Sequence, residues 1–247
     1  TPLEENGGAI LEVNAAPGFR MHIDPSEGLA RNVAEPVIDM LYPPGSSARI
    51  PIIGITGTNG KTTTTRLTAH LVKSMGHKVG FTTSDGVYIQ NLMMMKGDCT
   101  GPVSAEFVLK DPTVDFAVLE CARGGILRAG LGFHRCDIGI VTNISADHLG
   151  LGGIDTVEQL ARVKEVVVKS VASDGYAILN ADDDLVYKMR EGLDCNLALF
   201  SMNPNSKRIK EHCDKNGIAA VYDESNDWIY IQKGAWKIQI EKAHQIP

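Results

Sequence analysis

The stretch Ile50-Pro-Ile-Ile-Gly54-Ile-Thr-Gly57-Thr-Asn-Gly60-Lys61-Thr62-Thr63 constrains this chain more than any other. The apolar run from Ile50 to Ile55 reads as a buried strand. A glycine-rich turn follows it. From Lys61 the apolar positions Leu67 and Leu71 recur at helical spacing to about Met75. Strand, glycine loop, Lys-Thr and helix together are the context that a phosphate-binding loop requires. Glycines let backbone N–H groups turn inward around an anion, and the helix N-terminus adds unsatisfied donors and partial positive charge. Lys61 is placed to reach terminal phosphates, and the Thr62 hydroxyl to ligate Mg²⁺. The position five before Gly60 is Ile55, where the common loop has glycine; here the glycines fall at 54, 57 and 60.

Two more apolar runs end in chemistry. Asp115–Leu119 is a buried strand that closes on Glu120, and an acid there suits a Mg²⁺–nucleotide site beside a phosphate loop. Asp137–Thr142 is another, running into Asn143-Ile-Ser-Ala-Asp147-His148-Leu149. In doubly wound sheets ligands bind outside the carboxyl ends of the strands. Three strands therefore deliver functional groups to one edge. The expected fold is α/β: a mostly parallel, doubly wound sheet with a phosphate loop, and smaller antiparallel hairpins at Gly86–Met95 and Trp228–Ile240. The run Leu92–Met95 is expected to pack in the core, because Met is a flexible filler.

Other segments are read from local signals. Pro102–Leu109 looks helical, with Pro102 in the first turn. Arg123-Gly-Gly-Ile-Leu-Arg128 enters a short helix, and its arginines either grip an anionic substrate or decorate a solvated connection. Asp155-Thr-Val-Glu158 is expected to cap a helix through Leu160, Val163, Val167 and Val171. That helix carries Lys164, which composition alone makes a surface lysine. Asp174-Gly175 is expected to end the segment before a strand at Tyr176–Leu179. Asn180 then either hydrogen-bonds an adenine edge or caps the helix at Leu185–Met189. The C-terminal third alternates strand, helix and hairpin without a catalytic signal.

The N-terminal part differs. Ala9–Asn14 reads as a short strand with Glu12 and Asn14 on one face, a pair of oxygen donors that suits Mg²⁺ or a solvated strand edge. Residues 31–41 have helical spacing, and Tyr42-Pro-Pro-Gly-Ser-Ser47 is a linker. The expected domains are 1–47 and 48–247. A net charge of −6 without a long basic run argues against nucleic acid as a partner. Five scattered cysteines without C-x-x-C fit reduced thiols in a cytosol. No apolar run approaches the roughly 20 residues needed to span a bilayer.

The ordered set Gly57-Thr-Asn-Gly-Lys-Thr-Thr63, Leu119-Glu120, Thr142-Asn143-x-x-x-Asp147-His148-Leu149, Lys164 and Leu179-Asn180-Ala-Asp-Asp183 resembles the central ATPase domain of Mur-type amide ligases, over about residues 48–245. Glu12-Val-Asn14-x-x-Pro17-Gly18 resembles the closing motif of ATP-grasp ligases, whose Glu and Asn hold a metal. The first resemblance implies ATP held by Gly57, Thr58, Asn59, Gly60, Lys61, Thr62, Thr63 and Asn180. It also implies Mg²⁺ held by Thr62, Glu120, His148 and a carbamylated Lys164. Lys61, Glu120, His148 and Lys164 are the implied catalytic set, with Glu12 and Asn14 holding a metal in the ATP-grasp remnant. The two resemblances together imply an ATP-dependent ligase, acting through an acyl phosphate, that joins arginine to an aspartate polymer and works as a homo-oligomer. They also imply that a closing ligase domain and most of the ATP-grasp domain lie outside this sequence, so the chain alone should bind ATP weakly or not at all and should not turn over. The rival readings are a cell-wall or folylpolyglutamate ligase, or a P-loop ATP-binding module without ligase chemistry.

Overall fold

The run at Ile50 forms β1 (Ile52–Thr56), and all five of its residues are buried. A parallel strand covered on both faces reads as a continuous apolar run for this reason. The computed structural model describes residues 5, 7, 12–46, 49–146, 149–150 and 152–246. It divides into two compact units, Thr1–Arg49 and Ile50–Pro247.

The first unit has two short helices among its described residues, α1 (Arg20–Ile23) and α2 (Ala34–Leu41), neither with a buried side chain. The helix read from Arg31 begins later. Asn32 Oδ1 accepts from the Glu35 N–H at 3.2 Å and its Nδ2 donates to the Glu35 carboxylate at 2.8 Å, which marks Asn32 as lying outside the first turn. Ala9–Leu11 of the expected strand lie outside the described residues. Glu12–Asn14 are exposed coil, and their side chains meet through Asn14 Nδ2 and Glu12 Oε1 at 3.3 Å.

The second unit is built on one sheet of eleven strands: β1, β2 (Val79–Thr83), β3 (Gly86–Ile89), β4 (Leu92–Lys96), β5 (Phe116–Glu120), β6 (Cys136–Val141), β7 (Val171–Asn180), β8 (Asn196–Ser201), β9 (Ile218–Asp223), β10 (Trp228–Lys233) and β11 (Trp236–Lys242). Their order is β11-β10-β9-β8-β7-β6-β1-β5-β2-β3-β4. The pairings from β2 through β9 are parallel, and β3–β4 and β10–β11 add antiparallel strands at the two ends. Successive crossovers from β1 lead to β2 on one side and then, through β5, to β6 on the other. That reversal makes the carboxyl edge at β1 the switch point where this architecture binds ligands.

Helices lie on both faces. Ile53, Ile55, Val79 and Val118 pack against Ala69 and Val72 of α3 (Lys61–Ser74). The opposite parity, Ile52, Ala117 and Leu119, packs with Ala105 and Val108 of α4 (Pro102–Lys110). On that second face Gly54 and Gly139 are register partners, and a Cβ at either would meet Val167 of α6 (Val157–Lys169) within 3.5 Å. Small residues there let α6 settle onto the sheet. The remaining helices are α5 (Arg123–Ala129), α7 (Asp184–Lys188) and α8 (Lys207–Asp214).

Three local expectations need correction. The Leu92–Met95 run does not fill the core: every residue of β4 is exposed, because β4 is the sheet's edge strand. Thr156, one residue later than expected, caps α6, with Gln159 completing a reciprocal box. Asp174-Gly175 does not end a segment. It lies inside β7, where a Cβ on Gly175 would stand 2.3 Å from the Asp137 carbonyl oxygen, so the glycine serves close strand approach beside a register shift.

Candidate active site

The loop between β1 and α3 is held by side chains from the end of β6. Thr58 N donates to Asn143 O at 2.8 Å, and Asn59 N to Asn143 Oδ1 at 2.9 Å. Asn143 Nδ2 and Thr142 Oγ1 both donate to Asn59 O, at 3.1 and 2.7 Å. Ser145 N donates to Thr58 Oγ1 at 3.1 Å. The strand end thus clamps the loop from behind and leaves its front to the cavity. Gly57 sits at φ +147° and Gly60 at φ +81°, conformations that L side chains rarely adopt. Gly60 opens α3 with no side-chain cap, so the helix N-terminus faces outward toward the space an anion would fill.

A cavity of about 380 Å³ opens in front of this loop. Gly57, Thr58, Lys61 and Thr62 line one wall, Glu120 and Arg123 another, and Lys164 a third. Lys61 Nζ donates to Thr58 O at 3.0 Å, folded along the loop. Glu120 is the last residue of β5 and only 3% exposed. Its Oε2 accepts from Thr62 Oγ1 at 2.8 Å. Burial pushes the Glu120 carboxyl above its usual range, while the Thr62 hydrogen bond and the Lys61 charge oppose that rise. Lys164 is not a surface lysine. It is buried, and its Nζ donates to Gly57 O at 2.6 Å, tying α6 to the start of the loop.

Ser84 completes a set of oxygens that sequence reading missed. Its Oγ lies 3.2 Å from Thr62 Oγ1. Asp98 and Thr100 also line the cavity, with Asp98 Oδ1 accepting from Thr100 N and Oγ1. A signal for Ser84 did exist, since it directly follows a strand whose carboxyl end falls on the ligand edge. The hydroxyls of Thr62 and Ser84 with the Glu120 carboxylate are hard oxygen donors within one cluster, a donor set that fits Mg²⁺. Among the described residues no group of three or more His, Cys, Asp or Glu is arranged to hold a metal.

The remaining site residues are distributed as follows. Thr63 is on α3, exposed and outside the cavity lining. Asn180 ends β7 away from that lining. Its Nδ2 donates to Thr142 O at 2.8 Å and its Oδ1 accepts from Asp182 N at 2.9 Å. The cap of α7 falls to Asp183, whose Oδ1 accepts from Leu185 N and Val186 N. Of the two arginines considered for substrate binding, Arg123 lines the cavity and Arg128 does not. His148 and Asp147 lie outside the described residues. Glu12 and Asn14 belong to the first unit.

The sheet order, the glycine loop and the oxygen cluster define an α/β nucleotide-site domain of the P-loop kind. Residues 55–240 match the family model described as Mur ligase middle domain, and the chain belongs to that family. The whole chain is similar to cyanophycin synthetases: 58% identical to that of Geminocystis herdmanii and 59% to that of Crocosphaera subtropica. It spans about 28% of the length of these relatives. Among solved structures it resembles a UDP-N-acetylmuramoyl-L-alanyl-D-glutamate–2,6-diaminopimelate ligase, with a TM-score of 0.60 and 22% identity over 84% of this chain and 41% of that one. It also resembles E. coli FolC in complex with DHPP and ADP, with a TM-score of 0.52 and 17% identity over 77% of this chain and 48% of that one. These structural likenesses speak for the fold. Among the described residues no helix is long and apolar enough to cross a membrane.

Proposed function

We propose that this chain is the nucleotide-binding part of an ATP-dependent acid–amino-acid ligase, which joins L-arginine to the β-carboxylate of an aspartate polymer in the cytosol. The observation that carries this reading is one cavity lined by Lys61, Thr62, Glu120 and Lys164, residues from distant parts of the sequence. The identity of 58–59% to cyanophycin synthetases over the whole chain supports the substrate assignment. On this reading residues 1–47 are the tail of an ATP-grasp domain, whose Glu12 and Asn14 serve a separate aspartate-adding centre.

A carboxylate is a poor acyl electrophile, because oxide would have to leave. Transfer of the γ-phosphoryl group from ATP to a carboxylate oxygen gives ADP and an acyl phosphate. The arginine amine then attacks the acyl carbon, phosphate leaves, and an amide forms after loss of a proton. The first step needs positioning and charge neutralisation more than covalent help from the protein. The Gly57–Thr63 backbone cradles the phosphates. Lys61, swung from Thr58 O, neutralises their growing charge. Thr62, Ser84 and Glu120 would hold one Mg²⁺, and the family resemblance would give a second to His148 and a carbamylated Lys164. Mg²⁺, when bound there, would supply charge neutralisation for the transferring phosphoryl group. Arg123 orients the acidic polymer, and Asn180 would meet the adenine edge by exchanging its bond to Thr142 O or from Asp182 N.

The test is Lys61→Ala in the full-length protein. Arginine-dependent phosphate release is abolished and aspartate addition continues. Loss of both in a folded variant refutes the separation of the two centres. Phosphate release that needs no amino acid refutes ligase chemistry here.

A further inference from the structure

The turn between β2 and β3 carries a cluster that is not part of the cavity lining. Asp85 accepts from Thr83 Oγ1, from the Tyr88 hydroxyl at 2.7 Å, and from Arg66. Arg66 also donates to the Tyr88 hydroxyl at 3.0 Å, and its guanidinium lies over the Tyr88 ring, 5.1 Å from the centroid. Tyr88 in turn stacks on Phe81 of β2 with centroids 4.6 Å apart. Arg66 stands one helical turn beyond Thr62 on α3. The cluster therefore fastens the loop's own helix to the β2–β3 turn. Main-chain bonds from Gly97 N to Asp85 O at 3.0 Å and from Cys99 N to Thr83 O at 3.1 Å attach the segment carrying Asp98 to the same turn.

Ser84 sits inside this bracing. Its hydroxyl reaches Thr62 Oγ1. Glu120 N is held from below by Thr82 Oγ1 at 3.2 Å. The oxygens of Thr62, Ser84 and Glu120 come from three elements. The pairing of Thr82 with Leu119 sets the end of β2 beside Glu120, and Asp85 ties the turn that carries Ser84 to Arg66 of α3, the helix that carries Thr62. Neither Asp85, Arg66 nor Tyr88 lines the cavity.

We infer that Asp85 is a positioning residue: with Arg66 and Tyr88 it sets the turn that brings Ser84 to Thr62 and Glu120, and so governs how well the cavity takes the cation of a nucleotide. The inference rests on the magnesium–nucleotide reading of the site. A merely structural role for Asp85 would weaken nucleotide binding with and without metal alike. A positioning role falls on the metal-dependent part alone, because the loop backbone that cradles phosphate is held separately by Thr142 and Asn143.

The experiment is calorimetric titration of the full-length protein with ADP, with and without Mg²⁺. Asp85→Asn keeps an acceptor for Thr83 and loses the one shared by Tyr88 and Arg66. The Mg²⁺-dependent gain in ADP affinity is expected to fall roughly tenfold, with metal-free affinity changed less than about twofold. Amide exchange across residues 83–86 of the metal-free protein is expected to quicken. Tyr88→Phe deletes one hydrogen bond to the same oxygen and is expected to cost roughly threefold of the Mg²⁺ gain; it carries the test if Asp85→Asn does not fold. An unchanged Mg²⁺ gain in folded Tyr88→Phe or Asp85→Asn overturns the inference, as does an equal loss with and without metal. If the unsubstituted protein shows no Mg²⁺-dependent ADP binding, the reading of the site fails first and this inference falls with it.

Discussion

Gly57→Ala is the sharpest test of how the loop is built. At φ +147° an L residue is strained by about 1–3 kcal/mol. Its Cβ would also stand 1.9 Å from Thr142 Oγ1, 3.1 Å from Thr142 Cβ and 3.2 Å from Asn143 N. The threonine must then rotate away and give up its 2.7 Å bond to Asn59 O, a further loss of about 0.5–1.5 kcal/mol. Together these give about 1.5–4.5 kcal/mol. Gly60→Ala provides the control. It too has positive φ, but no atom lies within 4 Å of its added Cβ, so only the left-handed backbone costs, about 1–2 kcal/mol. The assay is thermal unfolding of the full-length protein with single variants and with Gly57→Ala in a Thr142→Ala background. In that background the added Cβ loses its closest opponent, and its penalty should shrink by about 1 kcal/mol. For a domain of this size each kcal/mol moves the midpoint by roughly 2–4 °C, so the coupling is measurable. ADP affinity should fall with Gly57→Ala, because Gly57 O also receives Lys164 Nζ. Equal penalties at Gly57 and Gly60, or no coupling to Thr142, would refute the clamp.

Two further expectations concern the scaffold. Thr156→Ala removes the hydroxyl that accepts from Gln159 N at 3.2 Å and should cost about 1 kcal/mol, while Asp155→Ala should stay within about 0.5 kcal/mol; equal effects in thermal melts would deny the Thr156 cap. His212 in α8 meets Ile218 O at 3.1 Å, and burial pushes its pKa below the usual 6.5. The unfolded chain therefore takes up a proton first, so this stability is fully present above about pH 6.5 and declines as pH falls toward the lower folded value. His212→Gln should flatten that decline in midpoints followed from about pH 7.5 to 5.5, and an unchanged slope would contradict it.

Much of the molecule was legible because its signals are local. Strand, loop and helix around Lys61 lie within one continuous stretch, so periodicity and glycine spacing identify them together. Glu120 was legible for a related reason: an acid at the end of an apolar strand falls on the ligand edge wherever that strand sits in a parallel sheet. The burial of Lys164 was not legible locally, since nothing in a helical Val-Lys-Glu context says that the amine turns inward to Gly57 O.

The sequence by itself determined the alternation of strands and helices, and with it the parallel sheet and the edge at which Lys61 and Glu120 meet, because backbone propensity and side-chain period act over a few residues. Only the tertiary structure decided that Leu92–Met95 lies on an open edge, that Gly175 lets two strands close up, and that Ser84 reaches Thr62. Exposure, close approach and hydrogen-bond partnership depend on which distant segment arrives as a neighbour. That is settled by how the strands order in the sheet, and no local pattern records it.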